Sequence, residues 1–374
     1  MTKKSSTLTI RDVAKYAGVS VATVSRYMNH TGQVSQEVGE RISQVMLELN
    51  YTPHTVARQL ATQRTHAVGL LITTVMNDFF SPLINGIFSV TTENNYNLLV
   101  AVSKPEMRDK AIASPVGPHN TDGAVVFANS LTEEQLIELC KTGFPVVLLY
   151  RTPPPNLKIP YVAIENKHSS RKLIDHLIEE HDRKRIMYIK GPEDQEDSHW
   201  RELGYRASLV AHGIPIDEEL ILQGEFAHQA AYQVLHNYLS QNPRDFDAIF
   251  TGNDDAAVGI LTALEEAGLR VPEDVSVVGF DDFRLAPFLN PPLTTVRAPT
   301  EQIGQIAAGQ LAKIFQGLPI EQKVLLPTEI ILRRSCGCDY QTPSSINYPQ
   351  DLANSTVPFS PSRELPKTQK TVSG

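Results

Sequence analysis

The feature that most restricts the fold of this chain is an alternation of short apolar runs with helical stretches. From His66 onward, runs such as "HAVGLLIT", "DGAVVFA", "RIMYIKG" and "SVVGFDD" are separated by stretches such as "HSSRKLIDHLIEEH". Apolar strands that alternate with helices form parallel sheets through right-handed βαβ units. The roughly ten strands predicted are more than one doubly wound sheet comfortably holds. The sequence therefore predicts an α/β core of two similar lobes.

The N-terminal segment has a different pattern, which predicts three short helices. "TIRDVAKYA" begins with Thr9 as an N-cap, and Asp12 is placed to complete a capping box. Gly18 interrupts this helix, and Ser20 caps a second one, "VATVSRYMN". Two helices joined by a turn at a glycine predict a helix-turn-helix. Its inward side is expected to hold Ala14, Val19 and Val24.

The charge distribution and the second helix both indicate a nucleic-acid partner. Residues 1–65 hold eight Lys and Arg against four acidic residues, whereas the rest of the chain holds 26 against 38. A basic head on an acidic body suits binding to a polyanion. The small side chains of Val21 and Ala22 let a helix approach base edges, and Arg26 can reach guanine or phosphate. The alternative is an ordinary three-helix cap with a polar face.

Residues 9–62, from "TIRDVAKYAGVSVATVSRYMN" to "TVARQLA", resemble the DNA-binding headpiece and hinge of the LacI/GalR family of bacterial transcription regulators. The resemblance continues in order through "NDFFSPLINGI", "RELGYRASLVAHGI", "TGNDDAAVGILTALEEAGLRVPEDVSVVGFDD", "PPLTTVRAPTEQIG" and "RRSCGC". It implies a two-lobed core with the periplasmic-binding-protein fold. It also implies a homodimer that binds a pseudo-palindromic operator in double-stranded DNA, with a small-molecule effector, a sugar in the first instance, between the lobes.

The resemblance implies specific DNA contacts. Val21 and Ala22 occupy base-discriminating positions, and Arg26 occupies the position of an arginine contact. The residues on backbone-contacting positions are Thr9, Ser20, Thr23, Ser25 and Asn29. Leu60 matches a leucine that enters the minor groove and bends the operator, with a helix-core leucine as the alternative. His54 replaces the asparagine usual after the hinge proline and can still donate to phosphate.

The resemblance also implies an effector site beyond the carboxyl ends of the strands, where parallel sheets bind ligands. The residues assigned to it are Phe79, Phe80, Asn166, Arg201, Phe226, Asn253 and Asp281. Carboxylate, amide and guanidinium groups around an aromatic face suit a polyol. The alternatives are a helix N-cap for each acid, which we expect of Asp254, and core packing for Phe79 and Phe80.

We expect neither a metal nor a cofactor from the sequence. Cys336 and Cys338 in "CGC" make an incomplete metal site by themselves. His168, His176 and His181 lie on one predicted helix, where a solvated face is the expectation. Three cysteines are too few for a disulfide scaffold, and no apolar run resembles a secretory signal or a membrane span. These features predict a cytoplasmic protein without a membrane partner.

The predicted domains follow from these patterns. They are a headpiece at 1–52, a hinge helix at 53–65, an N-lobe at about 66–164 and 294–324, a C-lobe at about 165–293 and 325–340, and a disordered tail at 341–374. The predicted function is a ligand-responsive transcription regulator, specifically a repressor of carbohydrate-related genes. A transport-type solute-binding protein lacks support because the basic headpiece is present. An α/β enzyme is permitted by Asp281 and Asp282, but no base–nucleophile set accompanies them, so we expect no enzymatic activity.

Overall fold

The structure is a computed structural model that describes residues 8–29, 32–51, 64–103, 115–242 and 244–339. These residues contain ten α-helices and twelve β-strands. The helices are α1 (Ile10–Ala17), α2 (Val21–Asn29), α3 (Gln36–Glu48), α4 (Phe80–Glu93), α5 (Glu133–Lys141), α6 (Lys167–Glu179), α7 (Glu196–Ala211), α8 (His228–Gln241), α9 (Asp254–Glu266) and α10 (Thr300–Phe315). Most of the predicted hinge helix (53–63) and the predicted tail (341–374) lie outside the described residues. No described helix is both long enough and apolar enough to span a bilayer.

The three N-terminal helices begin and pack as the sequence predicts. The Asp12 carboxylate accepts hydrogen bonds from the backbone N–H of Thr9 at 2.8 Å and from its hydroxyl at 2.7 Å, which fixes the start of α1. Gly18 ends α1 with φ at 65°, a left-handed conformation that glycine adopts without strain. Ala14 and Val24 are buried where α1 and α2 meet. The buried apolar residues of this unit are Val13, Ala14, Ala17, Val24 and Ile42.

Two six-stranded sheets form the rest of the described chain, which confirms the predicted pair of α/β lobes. The strands are β1 (Ala67–Ile72), β2 (Asn97–Val102), β3 (Gly123–Phe127), β4 (Val146–Leu149), β5 (Tyr161–Ile164), β6 (Ile186–Lys190), β7 (Ile221–Gln223), β8 (Ala248–Thr251), β9 (Ser276–Asp281), β10 (Thr294–Arg297), β11 (Lys323–Leu326) and β12 (Glu329–Ile331). The first sheet has the order β11-β5-β4-β3-β1-β2 and is parallel throughout. The second has the order β12-β10-β9-β8-β6-β7, and only β12 is antiparallel to its neighbour.

One predicted lobe boundary is wrong. The sequence assigns residues 294–324 to the first lobe, but β10 pairs in parallel with β9, with Thr294 opposite Val278, and so belongs to the second sheet. The chain crosses to the first lobe only after Arg297, where α10 packs against α4. This helix contact is close, because a Cβ on Gly86 would lie 2.0 Å from the carbonyl oxygen of Glu301. The lobe boundary depends on strand pairing between distant segments, and the short run "TTVR" does not indicate which sheet its strand joins.

Candidate functional site

A cleft of about 320 Å³ lies between the two lobes, beside the carboxyl ends of several strands. Phe127 ends β3 and Asp281 ends β9, and Thr73 and Asn253 follow closely after β1 and β8. This is the edge at which parallel sheets bind ligands. Six of the seven residues assigned to effector binding from the sequence line this cleft. They are Phe79, Phe80, Arg201, Phe226, Asn253 and Asp281.

Arg201 on α7 is the centre of the polar wall of the cleft, and only 3% of its surface is exposed. Its Nε donates to Oδ1 of Asn166 at 2.9 Å, and its Nη1 donates to the carbonyl oxygen of Gly252. One face of the guanidinium stacks on Phe280, with Cζ 3.7 Å from the ring centroid. Its Nη2 lies 3.5 Å from Oδ1 of Asp281. The guanidinium is therefore fixed in position, with one edge directed towards the cleft.

Two buried carboxyl groups accompany Arg201. Asp281 and Asp197 both line the cleft, and Oδ2 of Asp197 lies 4.0 Å from Nη2 of Arg201. Burial raises the pKa of Asp281 to about 7 and that of Asp197 to about 6, although the Arg201 charge lowers both. These carboxyl groups therefore change protonation near neutral pH.

Asn166 is the one predicted effector residue outside the cleft lining. Its side chain is buried, and its Nδ2 donates to Oδ1 of Asp197 at 2.7 Å while its Oδ1 accepts from Arg201. Both ends of the amide are thus engaged with cleft residues. Asn166 holds Arg201 and Asp197 in place and does not face the cleft itself.

The N-cap of α9 is Asn253, so the prediction that Asp254 caps this helix is wrong. Oδ1 of Asn253 accepts from the backbone N–H of Ala256 at 3.0 Å, and its Nδ2 donates to the carbonyl oxygen of Phe226 at 3.0 Å. Asp254 is buried, and its Oδ1 accepts a 2.6 Å hydrogen bond from the hydroxyl of Thr295. An amide and a carboxylate one residue apart are both suitable caps by composition, and tertiary contacts decide between them.

Phe226 lies over two glycines in a strained turn. Its φ is 53°, in the left-handed region, and its ring lies against the backbone of Gly191 and Gly252. A Cβ on Gly191 would lie 2.2 Å from the ring, and a Cβ on Gly252 would lie 2.7 Å from it. The glycines of "KGP" and "TGND" thus make room for the aromatic ring, whose centroid lies 5.3 Å from Cζ of Arg201.

The opposite wall, from the first lobe, is mainly aromatic, with Thr73, Thr74 and Asn77 beside the rings. Phe79, Phe80, Phe127 and Tyr150 form edge-to-face and tilted pairs, with ring centroids 4.9 to 5.7 Å apart. Phe80 is 5% exposed and belongs to the core, whereas Phe79 is only partly buried. Both residues border the cleft, so Phe80 is at once a core residue and part of the cleft lining.

The sequence does not identify several polar and aromatic residues of the cleft. These are Thr73, Asn77, Phe127, Gln195, Asp197, Glu225, His228 and Asp255. The rule that ligands bind at the carboxyl ends of parallel strands points to Thr73 and Phe127, which lie at the ends of β1 and β3. Asp197 lies in "KGPEDQEDSHW", where five acidic or amide side chains are present and composition does not distinguish them.

Half of the ten residues assigned to DNA contact are exposed on the N-terminal unit. Val21 is 41% exposed, and Ala22 and Arg26 are exposed on the same helix. Ser20 accepts a 3.1 Å hydrogen bond from the backbone N–H of Thr23 and so caps α2 as predicted. The remaining assigned residues in this region are exposed Thr9, half-buried Ser25, and Asn29 at the end of α2. His54 and Leu60 lie outside the described residues.

The histidines do not form the solvated face that the sequence predicts. His168 is exposed, as expected, but His176 and His181 are partly buried. Their rings converge with Cys336 and Cys338. The predicted solvated face is wrong for these two histidines, because the segment with Cys336 and Cys338 packs against the end of α6.

Comparison with known proteins identifies the family. Residues 9–54 match the bacterial regulatory proteins of the lacI family, and residues 174–336 match the periplasmic binding protein-like domain. Catabolite control protein A of Priestia megaterium is 30% identical over 331 residues, which cover 88% of this chain and 99% of that protein.

Two solved structures are similar to this chain over most of its length. One is the lac repressor dimer bound to operator and the anti-inducer ONPF, with a TM-score of 0.75 and 26% identity. The other is the complex of the transcriptional regulator CelR with cellobiose, with a TM-score of 0.66 and 29% identity. Each alignment covers 88% of this chain and 99% of the other. The chain belongs to the lacI family of bacterial regulatory proteins.

Proposed function

We propose that this chain is a repressor that binds a pseudo-palindromic operator as a homodimer and responds to a sugar or related metabolite in the cleft. The observation that carries the proposal is the Arg201 cluster. A buried guanidinium and two carboxyl groups with raised pKa values border one cleft, and such a group of side chains is typical of a ligand site. Among the similar solved structures, the lac repressor is a dimer bound to operator, and CelR is in complex with cellobiose.

The chemistry of the cleft favours a polyhydroxyl effector. Arg201 offers a donor, and Asp281 offers an acceptor for sugar hydroxyl groups. Phe226 and Phe79 supply ring faces for the apolar side of a pyranose or furanose. A cleft of about 320 Å³ is the size of a small ligand site. We therefore assign direct effector contacts to Phe79, Arg201, Phe226 and Asp281, and a supporting role to Phe80, Asn166 and Asn253.

Control of operator affinity would follow from the two-lobed arrangement. The effector contacts residues of both lobes, so it binds one arrangement of the lobes more tightly than another and shifts the population towards it. The headpiece precedes the first lobe in the chain, and the first strand of that lobe begins at Ala67. A shift of the lobes in the dimer would thus change the spacing of the two headpieces and their affinity for the operator.

We propose that α2 enters the major groove. Val21 and Ala22 would contact base edges, and Arg26 would reach guanine or phosphate. Thr9, Ser20, Thr23, Ser25 and Asn29 would contact the DNA backbone and set the register. The minor-groove role of Leu60 and the phosphate contact of His54 are carried by the family resemblance alone.

We further propose that the protein acts in the cytoplasm and has no enzymatic activity. Asp281 and Asp282 are adjacent but have separate partners. Asp282 pairs with Arg297 at 2.7 Å and with Arg333 at 2.7 Å, while Asp281 faces Arg201. Asp281 and Asp282 therefore do not form the carboxylate pair that the sequence permits for an acid–base mechanism.

The DNA-binding half of the proposal is tested by selecting binding sites from a random duplex pool with the full-length protein. We expect enrichment of an inverted repeat whose affinity falls steeply with salt, because bound lysines and arginines release counterions. Arg26→Ala should weaken this affinity by about tenfold or more, since one base or phosphate contact is lost. Exposed Arg270 of the second lobe pairs with Asp274, and its alanine variant is the control. Failure to enrich any repeat, or equal losses in the two variants, would contradict the proposal.

A further inference from the structure

Four side chains of the second lobe that are far apart in the sequence lie close together in the structure. They are His176, His181, Cys336 and Cys338. Nε2 of His176 lies 3.3 Å from Nε2 of His181, and Sγ of Cys338 lies 3.4 Å from each of these nitrogens. Sγ of Cys336 lies 3.7 Å from Nε2 of His176. All four atoms lie within 4.8 Å of one another.

These separations match the edges of a zinc tetrahedron. With Zn–N at about 2.0–2.1 Å and Zn–S at about 2.3 Å, a tetrahedral site has edges of about 3.3 Å between nitrogens, 3.5 Å between nitrogen and sulfur, and 3.8 Å between sulfurs. Four of the six separations between these atoms lie between 3.3 and 3.7 Å, and the other two, from Sγ of Cys336 to Sγ of Cys338 and to Nε2 of His181, are within 4.8 Å. Two histidines and two cysteines are also a common ligand set of structural zinc.

The local structure fixes the two cysteines in this position. Gly337 between them has φ at 116°, and a Cβ there would lie 2.9 Å from Nδ1 of His181. A glycine is therefore needed both for the turn and for the approach of the imidazole. The hydroxyl of Ser276 donates to the carbonyl oxygen of Cys336 at 2.8 Å, and the hydroxyl of Thr294 lies 3.1 Å from its Sγ. These contacts hold the backbone and the side chain of Cys336 in position.

We propose that His176, His181, Cys336 and Cys338 bind one structural zinc ion. Binding would release the two thiol protons to solvent and leave a site of zero net charge, which suits the complete burial of Cys336. All four positions are protein ligands, so the ion has no open position for catalysis. The proposal is independent of the repressor function.

The zinc ion would connect segments that are far apart in the sequence. His181 and Cys338 are separated by 157 residues. The ion would thus join the end of α6 to the segment that follows β12, at the edge of the second sheet. Helix α6 packs against α7, the helix that carries Arg201. We infer that zinc closes the second lobe and stabilises the scaffold of the polar wall.

The test is the zinc content of full-length protein purified under reducing conditions without a metal-affinity column or chelator, then incubated with Zn²⁺ and desalted. We expect about one zinc ion per chain, falling below about a tenth in Cys338→Ser and in His181→Gln. Cys140→Ser and His168→Gln are matched controls, because both residues lie outside the cluster, and they should keep the full content. Wild-type protein with less than about a tenth of an ion per chain would overturn the proposal.

Cobalt substitution gives a second readout that does not depend on the variants folding. Co²⁺ added to metal-stripped, reduced wild-type protein should produce thiolate charge-transfer bands and the strong visible bands of a tetrahedral ion. Weak octahedral bands alone, or a Cys336–Cys338 disulfide that forms in the presence of excess Zn²⁺, would count against a zinc site. Metal removal should lower the melting temperature by about 5 °C or more, and an unchanged value would contradict the structural role.

Discussion

The two walls of the cleft differ in chemistry and in how they are held. The second-lobe wall presents Arg201, Asp197 and Asp281, whose side chains are held by hydrogen bonds and ion pairs with one another and with Asn166. The first-lobe wall presents mainly rings, of which Phe79 is only partly buried, together with Thr73, Thr74 and Asn77. Fixed polar groups give orientation and specificity, whereas rings contribute area that tolerates small displacements. We infer that the second lobe selects the effector and that the first lobe closes over it.

The largest expected effect is on the polar wall. Arg201→Ala should weaken effector binding by about 100-fold or more, because charged hydrogen bonds are lost and two buried carboxyl groups lose their counter-charge. Titration calorimetry with the effector found by a thermal-shift screen of sugars measures this change. Phe79→Ala, on the opposite wall, should cost less than about tenfold, since it removes apolar contact area only.

Arg206 provides the matched control on the same helix. It pairs with Glu202 and Glu218 and is absent from the cleft lining, so Arg206→Ala should leave effector affinity unchanged. A loss in Phe79→Ala as large as in Arg201→Ala would show that the two walls contribute equally and would contradict the division of roles.

A smaller effect is expected from pH. The pKa of Asp281 is raised to about 7, and an effector hydroxyl is bound best by the ionised carboxylate. Affinity should therefore be highest above pH 7 and fall by up to about tenfold per unit as the pH decreases through 6. The stability of the free protein should change in the opposite direction. A raised pKa stabilises the fold below the pKa of the unfolded state, and that stabilisation is lost as the pH rises through 7.

Two measurements check the pH effect. Calorimetry from pH 5.5 to 8 gives the affinity slope, and urea unfolding over the same range gives the stability slope. Asp281→Asn should reduce both slopes, because the amide does not titrate, and leave the part that Asp197 contributes, whose pKa is raised to about 6. Slopes that are unchanged in this variant would contradict the assignment to Asp281.

The headpiece and the cleft also differ in how far their sequences predict them. The headpiece was predictable because its signals are local. Thr9, Gly18 and Ser20 each fix a helix end through contacts with residues within five positions. The strands were predictable where an apolar run is continuous, whereas the place of β10 in the second sheet depends on its pairing with the distant β9 and β12.

The contacts that long-range packing creates were less predictable. Nothing near Asn166 in the sequence shows that its amide holds Asp197, which lies 31 residues away. The sequence predicts Asp254 as the cap of α9, but its carboxylate accepts from the hydroxyl of Thr295, a contact that the local sequence does not show. The two cysteines of "CGC" were an incomplete site until the fold brought His176 and His181 to them.

The most direct test of the central claim is operator affinity measured with and without the effector, for the wild-type protein and for Arg201→Ala. The account predicts that a saturating effector changes wild-type operator affinity by about tenfold or more, a coupling typical of allosteric proteins. Arg201→Ala should bind the operator as the free wild-type protein does and show no change at the same effector concentration. An Arg201→Ala protein that responds like the wild type would contradict the account.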